Sequence, residues 1–279
     1  VQALNWQGVT WSQVQTHVVL GNGRLALDPI HAVGNGQQQV ARLVYDISGP
    51  QPAVEASARS VFLPLAVVQA WMHVAPDMHG TVQLVGAVSA QGENAQQRSN
   101  TLAGHLGASV VDGSVGSTLL RRMLGPQVPV KGQMPIRCFG LRTQFANGVA
   151  HIDQLGLESD FLHLRGQGTV TLATHELNMQ LAPQVLLGGA SASSALHVTG
   201  VWNNPQVSMA AAGDGRFGIT IGGGGGDDAT SCTALLAAAR EGADGPAPTT
   251  VAKKASREEK IMNMLHGLGA VPYTHLRAH

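Results

Sequence analysis

Charge is scarce in this 279-residue chain: 12% of its residues are Asp, Glu, Lys or Arg, about half the usual share. The 17 basic and 17 acidic residues cancel. A nucleic-acid partner requires a phosphate-neutralising basic surface, and none is written here. The densest basic run, Lys253-Lys254 to Arg257, meets Glu258 and Glu259 at once and reads as a solvated helix start. Aromatics are also scarce, at 4%, so a core must be built from Val, Leu and Ala. The apolar fraction is nevertheless ordinary, at 44%. Few charges with normal apolar content is the reverse of a disordered composition, so most of the chain is expected to be ordered.

No apolar run approaches the ~18 residues that span a bilayer. The chain opens Val1-Gln2-Ala3-Leu4, with no initiator Met and no leader pattern, and is expected to be a soluble segment of something longer. Its last residues, Tyr273-Thr274-His275-Leu276-Arg277-Ala278-His279, resemble translated sequencing adapter, so 272–279 are expected to be a non-biological tail.

Catalytic patterns are missing too. His175-Glu176 lacks the second His of a zinc-protease helix, and Gly113-Ser114-Val115-Gly116 is one residue short of a nucleophile elbow. The glycine run 222–226 lacks the Lys-Ser/Thr of a phosphate loop, and no carboxylate pair stands out for acid/base work. Of the twelve histidines, two lie in the tail, and among the rest no pair stands four residues apart. No cysteine is close enough to complete a tetrahedral set with them. The expectation is a protein that is no enzyme and holds neither metal nor cofactor.

What the sequence does contain is alternation, punctuated by Gly, Asn and Pro. A two-residue turn at Asn22-Gly23 predicts Leu20 opposite Leu25 and Val18 opposite Leu27. The turn at Gly49-Pro50-Gln51-Pro52 predicts Ile47 opposite Val54 and Tyr45 opposite Ala56. Further on, a turn at Ser159-Asp160 predicts Leu157 opposite Leu162, Leu155 opposite Leu164 and Val149 opposite Val170. A second turn near Ala173-Thr174-His175-Glu176 predicts Leu172 opposite Leu177, Val170 opposite Met179 and Gly168 opposite Leu181. Strands are also expected at 195–201 and 206–210, and short helices at 63–72, 94–102, 117–124, 232–240 and 258–265. The fold class is therefore mainly β: an antiparallel sheet of repeated hairpins with a few short helices, whose aliphatic face is either an ordinary core or, if the long sheet is curved, the lining of an apolar groove, the form that the resemblance described below implies. Residues 1–221 form the groove region, and 222–271 a Gly-rich linker with C-terminal helices, expected to be flexible.

Several segments, in this order, resemble the AsmA family of bacterial envelope proteins. They are Gly23-Arg24-Leu25-Ala26-Leu27-Asp28-Pro29-Ile30; Gly80-Thr81-Val82-Gln83-Leu84 with Leu102-Ala103-Gly104; and Ile136-Arg137-Cys138 through Asn147-Gly148-Val149. Gly166-Gln167-Gly168-Thr169-Val170 with Leu177 and Leu181, and Val198-Thr199-Gly200-Val201-Trp202 with Pro205, continue the resemblance, which covers roughly residues 5–240. It implies a periplasmic body whose parent is anchored in the inner membrane by an N-terminal helix. It also implies a groove that binds or conducts phospholipid between inner and outer membranes, supporting outer-membrane biogenesis. The groove lining is then Val18, Leu20, Leu25, Leu27, Leu155, Leu157, Leu162, Leu164, Val170, Leu172, Leu177, Met179 and Leu181. Partners would be phospholipid acyl chains and envelope proteins of either membrane. The alternative is a structural factor for assembling outer-membrane proteins that moves no lipid.

Cys138 and Cys232 both fall where the resemblance places cysteines. In an oxidising compartment they would join and staple the helix at 232–240 to the sheet. Two unpaired thiols acting as small hydrophobes are the other reading.

Overall fold

The computed structural model describes residues 3–6, 9–34, 36–124, 132–187, 190–209, 218–221 and 228–240. The described residues all fall in one compact unit, and the expected helix at 258–265 and the tail lie outside them.

The chain winds up and down as β1 (Ala3–Trp6), β2 (Val9–Gly21), β3 (Arg24–Gly34), β4 (Gln37–Asp46) and β5 (Ala53–Pro64). Helix α1 (Leu65–Trp71) and the two-residue β6 (Met78–His79) lead into β7 (Thr81–Gln91), α2 (Ala95–Thr101), β8 (Ala103–Gly116) and α3 (Ser117–Leu124). Then follow β9 (Gln133–Ala146), β10 (Val149–Glu158), β11 (Leu162–Thr171) and β12 (Glu176–Leu187). The described part closes with β13 (Ala190–Ser193), β14 (Leu196–Val201), β15 (Asn204–Met209), β16 (Gly218–Ile221) and α4 (Asp228–Ala239).

All sixteen strands join one antiparallel sheet. Apart from β6, which pairs with β8, neighbours in sequence are neighbours in the sheet from β1 to β12. There the sheet forks: the first half of β12 pairs with β14 and then β15, its second half with β13 and then β16. The sheet is open, because no pairing among the described residues joins β1 to the fork.

Local chemistry explains the turns. Asn22 and Gly23 have φ of 50° and 77°, and Asn147 and Gly148 have 52° and 75°, the left-handed pair that matches the twist of a two-residue hairpin. The first hairpin is paired as the sequence predicts, Leu20 to Leu25 and Val18 to Leu27. Elsewhere the turns are longer and the pairs slide by two. Tyr45 faces Val54, Leu157 faces Leu164, Leu155 faces Gly166, Val170 faces Leu177, Gly168 faces Met179 and Gly166 faces Leu181. A slide of two leaves every side chain on its expected face, since side chains alternate with period two. Val149 is the exception. A bulge between Ile152 and Leu155 sets it opposite Thr171, and Ala150 takes its place opposite Val170.

Helix α3 spans the predicted 117–124, and α2 begins at the cap residue Asn94, whose side chain accepts from Gln97 N at 2.9 Å. Helix α1 starts two residues late because β5 runs on through Pro64. Helix α4 starts four residues before the predicted 232 and packs on β8, β9 and β10. The reason is a depression floored by glycine. A β-carbon on Gly140 or Gly156 would stand 2.6 Å and 2.8 Å from the Leu235 side chain, so only glycine admits it.

Candidate functional site: one apolar face, covered at one end

Rows of paired residues show how the faces are built. One row runs Val18, Leu27, Leu43, Ala56, Val88, Gly104, Phe145, Ala150, Val170, Leu177, Gly200 and Pro205, crossing from β2 to β15. A parallel row runs Leu84, Ala108, Leu141, Leu155, Gly166, Leu181 and Leu196. Another carries Val82, Val110, Phe139, Leu157 and Leu164. These rows share one face. Of the thirteen lining residues expected from sequence, Leu172 alone lies in a turn outside the ladders; the rest sit on this face.

The face is not uniform. Val170 is buried, and Leu157, Leu162, Leu164, Met179 and Leu181 are buried, Leu162 to 2% exposure, in a cluster that continues through Leu63, Val82, Val110, Ile136, Leu196 and Val198. Leu65 of α1 and Leu120 of α3 join it, covering the end where β7 begins and β8 stops. Two helices of seven and eight residues are too small to cover a cluster spread from β5 to β14. The sheet must curl so that its face packs on itself. Leu25, Leu27, Leu155 and Leu177 are half-buried. Val18 is 54% exposed and Leu20 78%, and Leu43, Tyr45 and Ile47 beside them are exposed as well. The apolar face thus runs from a filled interior to a bare lip on β2–β4.

Between these extremes lies a cavity of about 220 Å³. Trp11, Val14, Ile30, Ala32, Ala41 and Val61 line it. The polar member of its wall, Gln39, has its amide occupied: Nε2 donates to the carbonyls of Gly34 and Phe62, both at 3.1 Å, and Oε1 accepts from Phe62 N at 3.3 Å. Trp11 Nε1 is buried with no acceptor among the described residues. Sequence reasoning missed Trp11, Gln39 and this cavity. The alternation of Ile30, Ala32, Gln39 and Ala41 was visible, but the bulge at Gln13 that turns Trp11 toward them is not written in any pattern.

A larger cavity, about 520 Å³, lies beside the fork. Arg165, Gln167, Gln180, Ala182 and His197 of its wall alternate with the apolar rows and lie on the opposite face, while Gly166, Leu181 and Leu196 of its wall belong to those rows.

That opposite face carries α4. Cys138 and Cys232 form a disulfide, Cα atoms 6.0 Å apart, and with Leu235 and Leu236 make a small core of their own. The pairing expected of a stapled helix is therefore present. Next to Cys138 in the ladder stands Glu158, fully buried. Its carboxylate meets the Arg165 guanidinium, His163 Nε2 at 3.0 Å and Arg137 Nη2 at 4.0 Å. The guanidinium groups of Arg165 and Arg137 supply the counter-charge of this buried carboxylate. Near the C-terminal end of α4, Arg240 Nε donates to Ser109 Oγ at 2.9 Å.

The histidines are scattered. His175 stacks on Trp202 with ring centroids 4.1 Å apart, and Trp202 N donates to His175 O, which ties the β11–β12 turn to the β14–β15 turn. Among the described residues no three His, Cys, Asp or Glu side chains gather as a metal site would require, and no helix is long and apolar enough to cross a membrane.

No family model, curated protein or solved structure matches this chain.

Proposed function

We propose that this chain is a lipid-holding β-groove of a bacterial envelope protein of the AsmA type, working in the periplasm on phospholipid acyl chains. One observation carries the reading: the exposed lip of Val18, Leu20, Leu43 and Tyr45 belongs to the same face as the buried rows, so an apolar chain entering at the lip meets apolar side chains throughout. The cavity behind the lip is below the ~300–1,000 Å³ of a pocket for a whole small molecule, which suits part of one alkyl chain better than a rigid ligand. Each methylene taken from water contributes ~0.8 kcal/mol, so holding needs no specific polar contact. A disulfide fits an oxidising compartment. Membrane attachment through a helix of the parent protein, and transfer between the two membranes, follow from the same reading.

Native mass spectrometry of the purified chain, before and after incubation with phospholipid vesicles, tests it. Bound phospholipid is expected. Leu20→Asp, at the bare lip, should reduce it with an unchanged melting temperature. Leu164→Asp, inside the packed cluster, should instead destabilise by several kcal/mol, as a charge in a sealed core does. Lipid-free protein under every condition, or binding indifferent to Leu20→Asp, removes the reading.

The filled end of the face favours a second reading. A closed, well-packed interior under α1 and α3 is what a structural factor for outer-membrane protein assembly would have, with the lip meeting protein in place of lipid.

A further inference from the structure

We infer that the cavity beside the fork binds a neutral saccharide, held by the amides of Gln167 and Gln180 and the imidazole of His197. The inference does not rest on the lipid reading, because the site opens on the other face of the sheet. The cavity measures about 520 Å³, within the ~300–1,000 Å³ of a pocket for a small molecule. Its wall takes three consecutive residues from each of three neighbours: 165–167 of β11, 180–182 of β12 and 195–197 at the start of β14. The ladder Gly166–Leu181–Leu196 crosses the middle of this patch. On the apolar face the next residues along the same strands are Leu164, Met179 and Val198, which are buried in the core and outside the wall. The opening is therefore on the polar face.

Small side chains next to long ones make the depression. Ala182 and Ala195, both exposed, leave a low floor beside Gln167, Gln180 and His197, which are ladder partners across three strands. Strands stand ~4.8 Å apart, so the three polar ends are spaced on the scale of hydroxyls around a sugar ring. Both glutamines are exposed, and neither has a hydrogen-bond partner among the described residues. Each primary amide offers two donors and an acceptor in one plane. Asn178 Oδ1 accepts from His197 Nε2 at 2.7 Å, which leaves Nδ1 of the neutral ring as an acceptor.

This mixture of donors and acceptors suits hydroxyl groups, which donate and accept at once. The alanine floor suits the C–H face of a sugar ring. An anion fits less well, because the Arg165 guanidinium lies against Glu158 and its Nη1 donates to Leu164 O at 3.2 Å. A phosphate would have to compete with that buried carboxylate, and a neutral polyol would not. A merely solvated face interleaves charges of both signs. Here Gln167, Thr169, Asn178, Gln180 and Thr199, all neutral, stand side by side.

The probes are neutral disaccharides built on glucose, galactose, mannose and N-acetylglucosamine, titrated into the full chain. At least one should shift the side-chain amide resonances of both Gln167 and Gln180, with a dissociation constant of about 1 mM. Its permethylated copy, which keeps the rings and loses every O–H donor, should bind about tenfold more weakly or less. Saturation transfer to the sugar protons should show the same loss for Q167A/Q180A, and no binding for Ala182→Phe, which fills the floor. All three positions are exposed, so both variants should melt with the wild type. A panel in which no sugar shifts either amide would overturn the inference. Equal binding of the permethylated copy would also overturn it, by reducing the cavity to an apolar cleft. So would unchanged binding to Q167A/Q180A, or displacement of the sugar by inorganic phosphate, which assigns the cavity to an anion.

Discussion

The Leu235 side chain lies 2.6 Å from the place where a β-carbon on Gly140 would stand, which makes one glycine on β9 the seat of a helix almost a hundred residues further on. Two other glycines share the task. Gly156 admits the same leucine, and Gly107 lies directly beneath the carbonyl of Ala239, where a β-carbon would meet helix backbone. Gly107→Ala should lift the C-terminal turn of α4 and cost ~1–3 kcal/mol, the usual penalty of overpacking. Thermal unfolding with amide exchange across 228–240 reads both effects. Unchanged exchange in α4 would mean that the helix is not seated there.

The Cys138–Cys232 bond closes a loop of 94 residues. On the chain-entropy account it stabilises by about 4–5 kcal/mol, with native strain subtracting from that. C138S/C232S should therefore shift the denaturant midpoint down and free α4 first, since Leu235 and Leu236 are its main remaining anchors. Alkylation of two thiols in the unreduced, natively expressed protein would show that the bond does not form.

Glu158 is buried against Arg165, His163 and Arg137. Removing the carboxylate leaves the Arg165 and Arg137 guanidinium groups without their buried counter-charge. Glu158→Ala should cost about 3–5 kcal/mol, the scale of breaking a buried ion pair. Replacing the glutamate and both arginines by apolar residues of similar volume should recover much of that loss. A single variant as stable as the wild type would show that water reaches the cluster.

At the exposed lip, Ser48 holds Asp46 below the usual carboxylate range, chiefly through its hydroxyl and then through its amide, at 2.6 and 2.9 Å. A depressed folded value means the turn after β4 is favoured above the unfolded carboxylate's midpoint. That preference is lost as pH falls through the folded one. A carbon-detected titration of Asp46 should show the low midpoint, and Ser48→Ala should return it toward the ordinary value.

The sequence by itself determined the strands, their faces and the helices that interrupt them. Asn22-Gly23 dictates a two-residue turn, and the alternation on either side dictates which residues share a face. That is why Leu157, Leu164 and Leu177 are on the expected side although their partners slid by two positions. Period-two alternation fixes the face and is blind to even shifts, so the exact pairs were not legible. Nor was the bulge that turned Val149 away, because a single extra residue leaves no trace in composition. The tertiary structure alone decided what covers the face. Leu164 and Leu20 read alike in sequence, yet one is sealed beneath a curled sheet and two short helices while the other stands in water. It also decided that α4 belongs to the body, since the glycines that seat it lie on three strands that only folding brings side by side. Alternation is a property of neighbours along the chain; burial depends on segments far apart in it, and no local pattern encodes their meeting.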